Sequence, residues 1–123
     1  MIVGGVSAFR TAIISVTVIG TGGVSQTFDA VVDTGFTDYL TLPLKAIDAL
    51  GLEYIGTSQA TLANWQIETF NVYRAQVLWE SEEKAIQVFE AEVGPLVGMS
   101  LLYGCLLTVY VVDGGNVTIE LMG

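Results

Sequence analysis

The sequence predicts a mainly β domain. Apolar residues alternate at every second position over several stretches, glycine-rich turns join them, and helical spacing of apolar residues is confined to short windows. Ile14, Val16 and Val18 alternate with Ser15 and Thr17, and Val117, Ile119 and Leu121 alternate with Thr118 and Glu120. A period of two turns one face of each strand toward a core and the other toward water.

Taken in order, Gly20-Thr21-Gly22-Gly23 joins the first alternating strand to another at about 26 to 32, a hairpin whose glycines permit positive φ. This cluster lacks the Lys-Ser/Thr ending of a phosphate loop. Pro43 suits the first position of a helix, Leu44, Ile47 and Leu50 share its buried face, and Gly51 closes it left-handed. Further strands are expected at about 58 to 64, 67 to 79, 84 to 93 and 105 to 112, with a second, short helix after Gly98. The run Leu106 to Val112 is apolar enough for a strand buried on both faces. Glu80, Glu82, Glu83 and Lys84 read as a solvated hairpin tip, and Asp113-Gly114-Gly115-Asn116 as the turn of a last hairpin.

With 123 residues, 52% of them hydrophobic, the whole chain 1–123 reads as one domain large enough to bury a core. Four basic against 13 acidic residues give a net charge of −9, which argues against nucleic acid and anionic membranes as partners. No basic residue precedes the apolar Ile2-Val3, and no apolar run approaches the ~18 residues that span a bilayer. A soluble, cytoplasmic protein is expected. The single cysteine, Cys105, lies beside Leu106-Leu107 and reads as a small buried hydrophobe. With no histidine, the usual zinc, haem and Ser/His or Cys/His constellations fall away, so no metal or cofactor is expected. Catalysis, if present, rests on carboxylates, hydroxyls or backbone.

Asp33-Thr34-Gly35 is the motif that carries chemistry: the apolar strand Phe28 to Val32 delivers a carboxylate into a glycine turn, and Phe36-Thr37-Asp38-Tyr39-Leu40 follows. By itself the tripeptide also fits a turn-capping aspartate. Together with Pro95-Leu96-Val97-Gly98-Met99-Ser100-Leu101-Leu102, however, an apolar pair and glycine leading into a short helix, it resembles the retropepsin-like aspartic peptidases, specifically the small prokaryotic group with an Asp-Thr-Gly-Phe signature. The resemblance spans residues 2 to 121.

The resemblance implies a closed β-barrel of the retropepsin type with one or two short helices. It implies an aspartic endopeptidase with Asp33, Thr34 and Gly35 in the catalytic turn. Phe36, Thr37 and Asp38 would lie along the substrate, with Ala63, Asn64 and Trp65 on a hairpin over it, and Leu96, Val97 and Gly98 would form the second signature. Hydrolysis without a metal or nucleophile needs one carboxylate to take a proton from water and one carboxylic acid to polarise the carbonyl. Two carboxyls about 3 Å apart share one proton and supply both roles. None of the other four aspartates, Asp29, Asp38, Asp48 and Asp113, begins a second such motif. The resemblance therefore implies a homodimer in which Asp33 meets its copy on a two-fold axis, with a peptide or protein as substrate.

Several alternatives stay open at this level. The terminal strands either interleave with those of a partner or close the chain's own sheet. Asn64 tolerates a left-handed turn, whereas Trp65 stands where a tight turn prefers glycine and serves either as a cap on the substrate or as a packing residue. A catalytically silent homodimeric peptide- or protein-binding module keeps the fold without the reaction, and a small β-barrel around an apolar ligand would reduce Asp33 to a turn residue.

Overall fold

The computed structural model describes residues 1–61 and 64–123. In chain order the elements are β1 (Ile2–Val6), β2 (Ala12–Ile19), β3 (Ser25–Val32), β4 (Leu40–Leu42), α1 (Leu44–Leu50), β5 (Glu53–Thr61), β6 (Ile67–Trp79), β7 (Glu82–Glu90), β8 (Leu96–Val97), α2 (Met99–Leu102), β9 (Cys105–Val109) and β10 (Asn116–Leu121). Strands hold 56% of the residues and helices 12%, so the chain is mainly β, as its alternation predicts. No helix among the described residues is long and apolar enough to cross a membrane.

The strands join in the order β5-β6-β7-β4-β8-β3-β2-β1-β10-β9, and β6 also pairs with β2, matching Thr17, Val18 and Ile19 with Leu78, Val77 and Gln76. That extra ladder closes β2, β3, β8, β4, β7 and β6 into a ring of 6 strands. Ile14, Val16 and Val18 of β2, Leu40 of β4, Val77 of β6, Val88 of β7 and Val97 of β8 are buried in one core cluster. Each such side chain contributes about 1.5–3 kcal/mol relative to exposure.

Helix α1 starts after Pro43, one residue later than its sequence suggests, and buries Ala46, Ile47 and Leu50. Leu44 is exposed instead of sharing that face, because Ala46 takes the place on the core side. Gly51 ends the helix at φ 62° and donates its N–H to the carbonyls of Ile47 and Asp48, the left-handed closure expected of it. The β2–β3 and β9–β10 hairpins and the short helix after Gly98 form where expected.

Three stretches depart from expectation. β5 begins at Glu53, well before position 58, and β7 ends at Glu90. The run after Val109 is not a doubly buried strand: Tyr110, Val111 and Val112 are exposed, because Val112 donates its N–H to the Tyr110 carbonyl at 2.8 Å and turns the chain out of the ladder. At the acidic hairpin tip the turn is Glu80-Ser81, both at positive φ, and Glu82 and Glu83 are solvated. Glu80 itself is largely shielded and accepts a 2.6 Å ion-paired hydrogen bond from the Met1 amino group.

The terminal strands pair within the chain. β1 lies between β2 and β10, and β10 lies between β1 and β9, so neither has a free edge to interleave with another copy.

Candidate active site

Asp33 follows directly on β3, and its position is set by β8. That two-residue strand inserts between β3 and β4, parallel to the first (Val31 with Leu96, Val32 with Val97) and antiparallel to the second (Leu40 with Val97). The chain from Asp33 to Tyr39 therefore leaves on one side of β8 and returns on the other. The Asp33 N–H donates to the Val97 carbonyl at 2.9 Å, and the Val31 N–H donates to the Pro95 carbonyl at 3.0 Å.

Within the turn, the Gly35 N–H donates to Asp33 Oδ1 at 2.9 Å and the Phe36 N–H donates to the Asp33 carbonyl at 3.1 Å. A Cβ on residue 35 would stand 3.2 Å from that same carboxylate oxygen, so glycine leaves room for the bond. The amide holds the carboxylate by a charge-assisted hydrogen bond.

The segment from Gly98 into α2 holds the turn from behind. Gly98 donates its N–H to the Tyr39 carbonyl at 3.0 Å, Met99 to Phe36 at 2.8 Å and Ser100 to Asp38 at 3.2 Å, while Ser100 Oγ donates to the Thr37 carbonyl at 2.6 Å. The carbonyls of Phe36 to Tyr39 are thereby all engaged by α2 and its approach, which leaves the loop little freedom. Buried Thr41 fastens the same region: its hydroxyl donates to the Gly94 carbonyl at 3.0 Å and accepts the Leu96 N–H at 2.9 Å.

Asp33 opens onto a groove of about 550 Å³, which it lines together with Gly35, Phe36, Thr37 and Leu96. Phe36, half-buried, meets Phe89 edge-to-face at 5.8 Å, and Phe70 stacks tilted on Phe89 at 5.6 Å, giving the groove an aromatic lining. Ala60 and Thr61 of β5 and Glu68 and Phe70 of β6 bring one hairpin to the groove. Thr41, Ala91, Glu92 and Val93 complete it.

Other expected site residues lie elsewhere. Thr34 is exposed at the turn, and Asp38 is half-buried outside the groove lining, where burial raises its carboxyl above the usual aspartate value. Val97 and Gly98 are buried beneath the loop. Asn64 and Trp65 do not line the groove, and Ala63 lies outside the described residues. Trp65, not Asn64, takes the left-handed conformation, at φ 66°, while Asn64 Oδ1 accepts the Gln66 N–H at 3.0 Å. With Trp65 86% exposed, the packing role is overturned: its ring touches too little protein to serve as core. Asp113 is exposed in the β9–β10 turn and takes no part in the groove lining.

Phe70, Phe89, Glu68 and Glu92 are groove residues that local sequence reasoning did not single out. Phe70 and Phe89 fell inside expected strands, but which face met Asp33 depends on the β6–β7 ladder, where Val72 pairs with Phe89. Among the described residues no three His, Cys, Asp or Glu side chains converge as a metal would need.

No family model, curated protein or solved structure matches this chain. A carboxylate with an amide donor, at the mouth of an apolar groove, can hold a water and take its proton. One carboxylate cannot also be the acid, and the groove's other carboxylates, Glu68 and Glu92, are both exposed, with Glu92 accepting the Leu44 N–H at 2.9 Å.

Proposed function

We propose that the chain is an aspartic endopeptidase of the retropepsin-like type, active as a homodimer. The observation that carries the reading is the fastening of the Asp33 turn to β8 and α2. The two stretches that resemble the family's signatures, 64 residues of sequence apart at Asp33 and Val97, which a backbone hydrogen bond joins, form one rigid unit facing a peptide-sized groove.

In this reading a second copy supplies the second Asp33. The ionised member of the pair takes a proton from a bound water as its oxygen attacks the peptide carbonyl, and the protonated member gives its proton to the carbonyl oxygen. The resulting diol collapses, the C–N bond breaks, and a proton passes to the leaving nitrogen. No covalent intermediate forms. The substrate lies extended along the groove, with apolar side chains against Phe36, Phe70 and Phe89 and its backbone beside the β5–β6 hairpin.

Proteome-derived peptides incubated with the wild type and with Asp33→Asn test the reading, alongside a size measurement of each. Cleavage by the wild type alone, with a bell-shaped pH profile, is expected. Equal cleavage by both removes Asp33 from the mechanism.

Trp65 favours a second reading. An exposed tryptophan at a left-handed position gives the hairpin turn a shape unlike a glycine turn, which suits a homodimeric module that binds peptides without cutting them. Peptide binding by a wild-type dimer that cleaves nothing between acidic and neutral pH would support it.

A further inference from the structure

We infer that the groove beside Asp33 selects basic peptides, with Glu68 and Glu92 receiving arginine or lysine side chains that flank the apolar residues seated on its aromatic lining. The inference rests on the reading of this groove as a peptide cleft and names the class of substrate the cleft takes.

Among the described residues, the groove's lining holds three carboxylates, those of Asp33, Glu68 and Glu92, and no basic side chain. The chain's four basic residues, Arg10, Lys45, Arg74 and Lys84, all lie outside it. Two of them are engaged elsewhere: Arg74 pairs with Glu53 at 3.6 Å, and the Lys84 ammonium stands 6.0 Å from the centre of the Tyr39 ring. The groove thus presents negative charge against apolar walls, a combination that concentrates cations.

Strand period orders this chemistry along β6. Glu68, Phe70 and Val72 share one face, and they pass from exposed through half-buried to buried. An occupant on this face therefore meets an aromatic floor first and a carboxylate toward the open end. Glu92 comes from the segment between β7 and β8 and is held in place, since its Oε2 accepts the Leu44 N–H at 2.9 Å. Among the described residues no hydrogen bond or ion pair engages its other oxygen or the Glu68 carboxylate.

A long basic side chain is the occupant that fits. Arginine and lysine carry apolar stems that lie along an aromatic surface while the charged head reaches past it. Arginine suits the site better, because its planar guanidinium stacks on an aromatic face and grips a carboxylate with two N–H groups at once. An acidic side chain would meet like charges at both Glu68 and Glu92. The proposed mechanism repeats the groove about a two-fold axis, so basic side chains are expected on either side of the bond that is cut.

The test compares two peptides of one sequence, apolar at the centre, that carry on both flanks either arginine or its uncharged analogue citrulline. The wild type should favour the arginine peptide in kcat/KM by about two- to fivefold per flank, the range of exposed ion pairs, chiefly through KM. Rising salt should shrink the preference. Glu68→Gln and Glu92→Gln should each lower it and the double variant should nearly abolish it. The fold should survive, because Glu68 is exposed and a glutamine amide oxygen at 92 can still accept the Leu44 N–H. Glu83→Gln removes one exposed charge outside the groove and should leave the preference intact. Equal cleavage of both peptides by the wild type, a preference that survives the double variant, or one that Glu83→Gln lowers as much would each overturn the inference. Fluorescence anisotropy of the labelled peptides reads the preference without cleavage. A wild type that cuts neither peptide refutes the aspartyl mechanism alone: tighter binding of the arginine peptide then sustains the basic-peptide groove, and equal binding, or none, ends it.

Discussion

Gly98 lies so close to the Asp38 carbonyl oxygen that a methyl group on its Cα would overlap it, and the same methyl would come within 2.6 Å of Phe36 Cδ2. The glycine is thus the contact surface between α2 and the turn that presents Asp33. The backbone of Phe36 and Asp38 would have to retreat to admit any side chain, carrying the Asp33 turn with it.

Gly98→Ala should therefore destabilise the protein by about 1–3 kcal/mol, the range for overpacking a close-packed site. Denaturant titration measures the loss. Peptide cleavage should fall further than the unfolded fraction accounts for, since the turn itself is displaced.

Asp33→Asn should leave the fold almost untouched, because an amide oxygen can still accept the Gly35 N–H, now 2.9 Å from Asp33 Oδ1. Stability within about 0.5 kcal/mol of the wild type is expected. On the proposed mechanism, loss of Asp33 as the proton-transfer group should cut the cleavage rate by about 10²–10⁴-fold, measured on a fluorogenic peptide.

Trp65→Gly separates conformation from contact. The tryptophan holds φ 66° while 86% exposed, so the wild type carries left-handed strain of about 1–2 kcal/mol with little packing in return. Glycine relieves that strain but adds freedom to the unfolded chain, so stability should change by less than about 1 kcal/mol. If the indole covers a bound peptide, KM rises with kcat largely kept. A thermal melt and a substrate titration tell the two effects apart.

Tyr73 donates its hydroxyl hydrogen to Glu90 Oε1 at 2.8 Å, and chiefly through this bond, with burial and the nearby Glu90 charge adding to it, its pKa is pushed up to about 12. The folded protein thus keeps the phenol proton more tightly than the unfolded chain, whose tyrosine titrates near 10. The stabilisation is fully present below pH 10 and is lost as pH rises toward 12. Melting temperatures of the wild type should fall more steeply across this window than those of Tyr73→Phe.

Asp38 titrates with the opposite consequence at neutral pH. Burial raises its carboxyl, so the folded state favours the protonated form, and the stabilisation present below about pH 4 is lost as the group ionises. Asp38→Asn should raise the melting temperature at pH 7, with the gain shrinking toward pH 3. Calorimetry at both pH values measures the difference.

Much of the architecture was legible because its signals are local. Alternation in Ile14, Val16 and Val18 reports one buried face directly, and all three are buried in the ring. Gly51 closes α1 left-handed because only the residues next to it decide that geometry. Leu121 shows where the same reasoning fails: it continues the alternation of Val117 and Ile119 but is 63% exposed, since the period says which face a residue shares and nothing about how far the core extends beneath it. Tyr110 to Val112 fail for a related reason, as an apolar run carries no mark of where the ladder stops.

By itself the sequence determined a β-rich chain, its glycine turns, and an aspartate set at the end of an apolar strand, because strand period and turn chemistry act over a few residues. Only the tertiary structure decided that β8 slips between β3 and β4 to fasten the Asp33 turn, that Phe70 and Phe89 line the groove beside it, and that β9 ends the sheet. Those outcomes come from pairing between residues far apart in the chain, whose partners no local pattern specifies.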